Sequence, residues 1–106
     1  MTFEGSNEMT IKNNILIVDD HPFIIEGYKN AITRYKPDNY EFFITQAKDC
    51  ESAYTIISNP VKQNFDIAFL DISMPAFEDQ NLYSGEDLAK LIMEKMPNCK
   101  IILLTM

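Results

Sequence analysis

Four apolar runs punctuate the chain, and each of the three stretches between them carries apolar residues at helical spacing. Phe65-Asp66-Ile67-Ala68-Phe69-Leu70 is interrupted only by Asp66, and Ile15-Leu16-Ile17-Val18 not at all. Both have the pattern of central parallel strands covered on two faces. Tyr40 to Gln46 is aromatic and β-branched, with Glu41, Thr45 and Gln46 among apolar neighbours, which predicts a strand at a sheet edge. Lys100-Ile101-Ile102-Leu103-Leu104-Thr105 predicts a fourth strand.

The helices are marked by their ends as much as by their stripes. Pro22 suits the first turn of a helix whose stripe is Ile24, Tyr28, Ala31, Ile32 and Tyr35, ended by Pro37. Asp49 caps a second helix carrying Ala53, Ile56 and Ile57, closed by Asn59-Pro60. After a polar loop from Ala76 to Tyr83, Ser84 caps a third, with Asp87 placed to reach back in an Asp variant of the capping box. Its stripe is Leu88, Leu91, Ile92 and Met96, and Pro97 ends it. The order βαβαβαβ implies parallel strands joined by right-handed crossovers, an α/β fold with helices on both faces of a twisted sheet. Residues 1 to about 11 show neither period and predict a mobile leader ahead of one domain spanning 12–106.

Composition narrows the classes of function. Sixteen acidic against nine basic residues give a net charge of -7, with no basic cluster to track a phosphate backbone, so direct nucleic-acid contact is not expected. No signal-peptide pattern and no run of about 18 apolar residues is present, so neither export nor a membrane span is expected, and the chain is placed in the cytoplasm. Cys50 and Cys99 lack metal-site or redox-motif spacing and read as reduced thiols. The six methionines read as fillers of core gaps.

Parallel strands bring their carboxyl ends to one edge, where open α/β sheets bind ligands. Asp19 and Asp20 follow the first apolar run, Asp71 follows the third, and Thr105 ends the fourth. Three acids that close repel one another unless a hard divalent cation sits among them, and Mg²⁺ fits this oxygen set better than Zn²⁺. A carboxylate beside Mg²⁺ also makes a nucleophile toward a phosphoryl group. A single Asp at a strand end is ordinarily a turn former or cap; three at one edge favour the chemical reading. His21, the only histidine, sits before a helix-opening proline and is read as structural. Asp66 is read as a satisfied polar group at a strand start.

From Ile15 to its end the chain resembles the receiver domain of two-component response regulators. The resemblance rests on an apolar strand then Asp19-Asp20, an apolar strand then Asp71-Ile72-Ser73-Met74-Pro75, and an apolar strand then Thr105. It implies a flavodoxin-like, doubly wound parallel sheet in the order 2-1-3-4, with a fifth strand and the last helices absent from these residues. It implies that Asp71 accepts a phosphoryl group from a histidine kinase, and that Asp19, Asp20, Asp71 and the backbone carbonyl of Ser73 hold Mg²⁺. Thr105 becomes the switch hydroxyl, and nothing but its own phosphorylation and dephosphorylation is catalysed. The pairing of Asp19-Asp20-His21-Pro22 with Leu104-Thr105-Met106 looks most like the branch whose output is a helix-turn-helix DNA-binding domain, here outside the chain, acting in transcription regulation.

Two departures stand out. The loop between Pro75 and Gly85 is longer than the family's usual one, and the family's lysine at the end of a fifth strand has no counterpart. The second departure suggests a fragment, and as an alternative function a receiver-like interaction module that is not phosphorylated. With Lys100 to Thr105 at an edge, a homodimer or higher oligomer pairing through that strand is expected. Phosphatases of the haloacid dehalogenase type also use an Asp after an apolar strand, but need a second Asp where this chain has Ser73.

Overall fold

The structure, a computed structural model, describes residues 9–59 and 64–105. Most of the expected leader, Pro60 with the residues up to 63, and Met106 lie outside the described residues. Within them the chain runs β1 (Ile11–Val18), α1 (Pro22–Arg34), β2 (Tyr40–Ala47), α2 (Cys50–Ser58), β3 (Ile67–Asp71), α3 (Gly85–Lys95) and β4 (Lys100–Leu104). The sheet is parallel throughout, in the order β2-β1-β3-β4. This is the α/β architecture and strand order expected, with β2 and β4 outermost.

Register explains why β1 begins four residues ahead of its apolar run. Ile11 to Asn14 pair with Tyr40 to Phe43 on β2, whereas only Ile15 to Val18 also pair with β3. The polar half of β1 is thus a two-stranded extension, and the apolar half is the sheet's centre. At the junction, the Asn14 N–H donates to Asp66 Oδ2 at 2.8 Å, so Asp66 is satisfied at the strand start.

Alternation along the strands sorts side chains to two faces. Leu16, Val18, Ala68 and Leu70 face α2 and α3 and join Ala53, Ile57, Leu88, Ala89, Ile92 and Met96 in one buried cluster. Ile15 and Ile17 face α1 and meet Ile25, with Tyr28, Ile32 and Phe69 packed half-buried around them. The α1 stripe therefore differs from the one expected: Ile25 is its buried residue, while Ala31 and Tyr35 are exposed. A helix seated on a twisted sheet presents Ile25, Tyr28 and Ile32 inward, and Ile24 turns to the flank. The methionine expectation also needs correction, because Met74 and Met96 are buried but Met9 and Met93 are exposed.

The segment after Pro75 is built, not merely polar. Phe77 and Leu82 form an antiparallel bridge around a 3₁₀ turn, Glu78–Gln80, and Asn81 takes a left-handed conformation (φ 58°) that reverses the chain. Leu82 is buried and the Phe77 ring meets Tyr54 edge-on at 5.7 Å. Asp49 and Ser52 form a reciprocal cap on α2. Ser84 caps α3, but Asp87 Oδ2 reaches one residue further than expected and accepts from the Tyr83 N–H at 2.9 Å.

Candidate functional site

The carboxyl edge gathers the acids because β1 and β3 are adjacent and end level. Asp19 follows β1, its N–H donating to the Ala47 carbonyl at 3.0 Å, and Asp71 is the last residue of β3. Both side chains are almost fully buried, whereas the Asp20 side chain is about a third exposed. The N-terminus of α1 follows at once, so its positive end lies beside Asp19 and Asp20. His21 is its N-cap residue, with no side-chain cap bond to the helix.

Instead the imidazole turns onto the acids. Its Nδ1 lies 2.8 Å from Asp19 Oδ1, 3.0 Å from Asp20 Oδ1 and 3.8 Å from Asp71 Oδ2. The His21 backbone N–H also donates to Asp19 Oδ1, at 2.9 Å. The hydrogen bond that His21 makes to the Asp19 carboxylate, and then the charge of Asp20, raise the His21 pKa. His21 thus stands within the site, which its reading as a structural residue missed. The signal available in the sequence was its adjacency to two acids at a strand end.

Asp71 is held on one side only. The Ser73 N–H donates to its Oδ1 at 3.1 Å, while Oδ2 is buried and accepts no hydrogen bond. Burial above all, opposed by the Ser73 N–H and then reinforced by the charges of Asp19 and Asp20, raises the Asp71 pKa. Such an orphaned buried oxygen among carboxylates is the arrangement a hard cation satisfies, and the all-oxygen set of Asp19, Asp20 and Asp71 suits Mg²⁺. The acidic cluster is thus consistent with a divalent-metal site.

Thr105 lies beside Asp71, because the Ile72 N–H donates to the Leu104 carbonyl at 3.1 Å. With His21, Asp71, Ile72, Ser73 and Leu104 it lines a cavity of about 260 Å³. The structure therefore brings all the residues singled out at the strand ends to one edge. Gly85 was not singled out, yet it packs directly against the end of β3. Its N–H donates to the Ile72 carbonyl at 2.9 Å, and a Cβ there would fall 2.2 Å from the Asp71 carbonyl oxygen. Only glycine lets the start of α3 press so closely on the end of β3.

Residues 15–106 match the response regulator receiver domain family. The chain belongs to that family. It is 29% identical over 94 residues to YxjL, an uncharacterized transcriptional regulatory protein of Bacillus subtilis (strain 168), and 28% identical over 93 residues to the transcriptional regulatory protein RcsB of Salmonella typhi. These alignments cover 89% and 88% of this chain but 38% and 39% of those proteins, so the receiver domain spans about two fifths of their length. Among solved structures, RcsB of Salmonella enterica serovar Typhimurium, bound to a promoter with a phosphomimetic beryllium fluoride, superposes with a TM-score of 0.67 at 26% identity. That match covers 89% of this chain and 69% of the other. Among the described residues no helix is long and apolar enough to cross a membrane.

Proposed function

We propose that this receiver domain takes a phosphoryl group from a histidine kinase onto Asp71. The observation that carries the reading is the buried Asp71 carboxylate at the tip of β3, with one oxygen orphaned beside Asp19 and Asp20. In this reading Asp19, Asp20, Asp71 and the Ser73 carbonyl hold Mg²⁺, which when bound offsets the charge on the phosphoryl oxygens. A carboxylate oxygen of Asp71 forms the new O–P bond as the P–N bond to the kinase's histidine breaks, returning that imidazole as the leaving group. The Ser73 N–H fixes the carboxylate's orientation, and burial strips water from it, leaving a nucleophile that needs no base. The Thr105 hydroxyl, beside the same cavity, donates to a phosphoryl oxygen and so reports the modified state to the flank of β4. From the transcription regulators it resembles we infer that the readout is a DNA-binding output domain.

Incubating the chain with a small acyl phosphate and Mg²⁺ tests this directly by intact mass. One added phosphoryl group, labile to hydroxylamine, is the expected product, and Asp71→Asn abolishes it. An Asn variant that labelled as well as the parent would remove Asp71 as the acceptor.

A further inference from the structure

The phosphoryl-transfer reading gives the side chain of His21 no part, yet among the described residues it is the base that joins the three acids in one cluster. Its Nδ1 is 2.8 Å from Asp19 Oδ1 and 3.0 Å from Asp20 Oδ1, and 3.8 Å from Asp71 Oδ2. One ligand atom from each of the four residues lies within 4.8 Å of the others. Around a divalent ion with bonds of about 2.1 Å, neighbouring ligand atoms of an octahedron are about 3.0 Å apart and opposite ones about 4.2 Å. The first two distances are those of neighbouring ligands, and the third falls between neighbouring and opposite. A hydrogen bond to Asp19 explains one of the three. It does not explain why Asp71 Oδ2, nearly fully buried and facing the same ring nitrogen, accepts no hydrogen bond.

We propose that His21 Nδ1 is a fourth side-chain ligand of this centre, joining the three carboxylates and the Ser73 carbonyl in a four-oxygen, one-nitrogen set that takes a transition-metal dication such as Co²⁺ or Ni²⁺ ahead of Mg²⁺. The proposal rests on the reading that the three acids hold a divalent ion and adds the residue that sets which ion. Mg²⁺ gains little from exchanging water for imidazole, whereas Co²⁺ and Ni²⁺ gain steadily along the Irving–Williams order. The anchoring suits a ligand. The backbone N–H of His21 is tied to Asp19, so the ring swings only about its own side-chain bonds, and its side chain is about half exposed. With the Ser73 carbonyl the four side chains make five protein ligands, which leave one position of an octahedron for water or a phosphoryl oxygen, so the centre stays open to the chemistry proposed above.

The test is calorimetric titration of the tag-free chain and of His21→Asn with CoCl₂ and with MgCl₂, at about pH 8, where an ordinary imidazole is neutral. The variant is expected to lose about tenfold or more in Co²⁺ affinity while Mg²⁺ affinity stays within about twofold. Because the chain has one histidine, pulsed electron paramagnetic resonance of the Cu²⁺-loaded parent reads the same ligand directly. Imidazole nitrogen modulation is expected in the parent and absent from His21→Asn. Unchanged Co²⁺ affinity in the variant, or equal losses for Co²⁺ and Mg²⁺, overturns the proposal, the second result reducing His21 to a residue that orders the acids. A parent that ignored Mg²⁺ would remove the metal from the proposed function, and the Co²⁺ difference would still decide the role of His21.

Discussion

The two faces of the sheet are built to different standards. On the face covered by α2 and α3, sixteen of the described residues are buried in one cluster that runs from Leu16 to Cys99. On the face covered by α1, Ile15, Ile17 and Ile25 are the buried ones among the described residues, with aromatic and β-branched residues half-covered around them. The acids belong to the thinner side. By strand alternation Asp71 continues the row of Phe69, and Asp19 the row of Ile15 and Ile17, so both carboxylates lie on the sparsely packed side, buried beneath the more exposed Asp20 and His21. The thick face fixes the positions of β1 and β3, and the thin face leaves the tip of β3 against the cavity shared with His21 and Thr105.

Truncations on the two faces measure that difference. Leu88→Ala removes a fully buried side chain from the middle of the thick cluster, where neighbours held from several sides collapse little, and should cost near the top of the ~2–5 kcal/mol range. Ile25→Ala, on the thin face, should fall near the bottom of that range because its half-exposed neighbours shift to fill the gap. Denaturant unfolding of the two variants makes the comparison. Equal costs would mean that the faces are equally rigid and that the placement of the acids needs another explanation.

Gly85 is where the thick face meets the site. Gly85→Ala pushes a Cβ against the Asp71 carbonyl, which is backbone and yields only if β3 or α3 shifts. Overpacking of this kind costs about 1–3 kcal/mol. Because the shifted group carries the proposed phosphoacceptor, labelling from a small acyl phosphate should fall by more than Ile25→Ala reduces it. A Gly85→Ala chain that labelled like the parent would show that the close approach serves stability alone.

These residues also show what the sequence made legible and what it hid. The parallel pairing of the strands and the gathering of Asp19, Asp20, Asp71 and Thr105 at one edge follow from apolar runs that end in polar residues, since period and topology leave few alternatives. The strand order, in contrast, came with the resemblance to receiver domains. Ile25 was hidden because Ile24 and Ile25 are both apolar, and which of them faces inward depends on how the helix rolls on a twisted sheet. Leu82 was hidden in a polar stretch, where burial follows from one bridge to Phe77 and not from a period. Gly85 was hidden because a missing side chain gives no signal until the opposing backbone is placed. His21 was visible but ambiguous, as a residue before a helix-opening proline and as a neighbour of two acids.

The smallest expected effect is also the one that tells most directly how the thin face treats its charges. Burial, with the neighbouring acids, raises the Asp71 pKa above its ordinary value of 3.8. The folded protein therefore holds this proton more tightly than the unfolded chain does, and the stability that Asp71 contributes is greatest below 3.8 and is lost as pH rises through the folded value. Asp71→Asn removes the loss, so its thermal midpoint should match the parent's in acid and exceed it at neutral pH by a modest margin. The margin is modest because Asp20 and His21 keep the cluster open to water on one side. The His21 pKa is also raised, chiefly by its hydrogen bond to Asp19, and it loses stability in the same direction at higher pH. That contribution is largely common to both proteins, so the difference between their curves isolates Asp71. Excess Mg²⁺ should raise the parent's midpoint more than the variant's and close the gap at neutral pH. A parent as stable as Asp71→Asn at neutral pH without metal would mean that the three acids carry no net strain, and that the thin face already screens them.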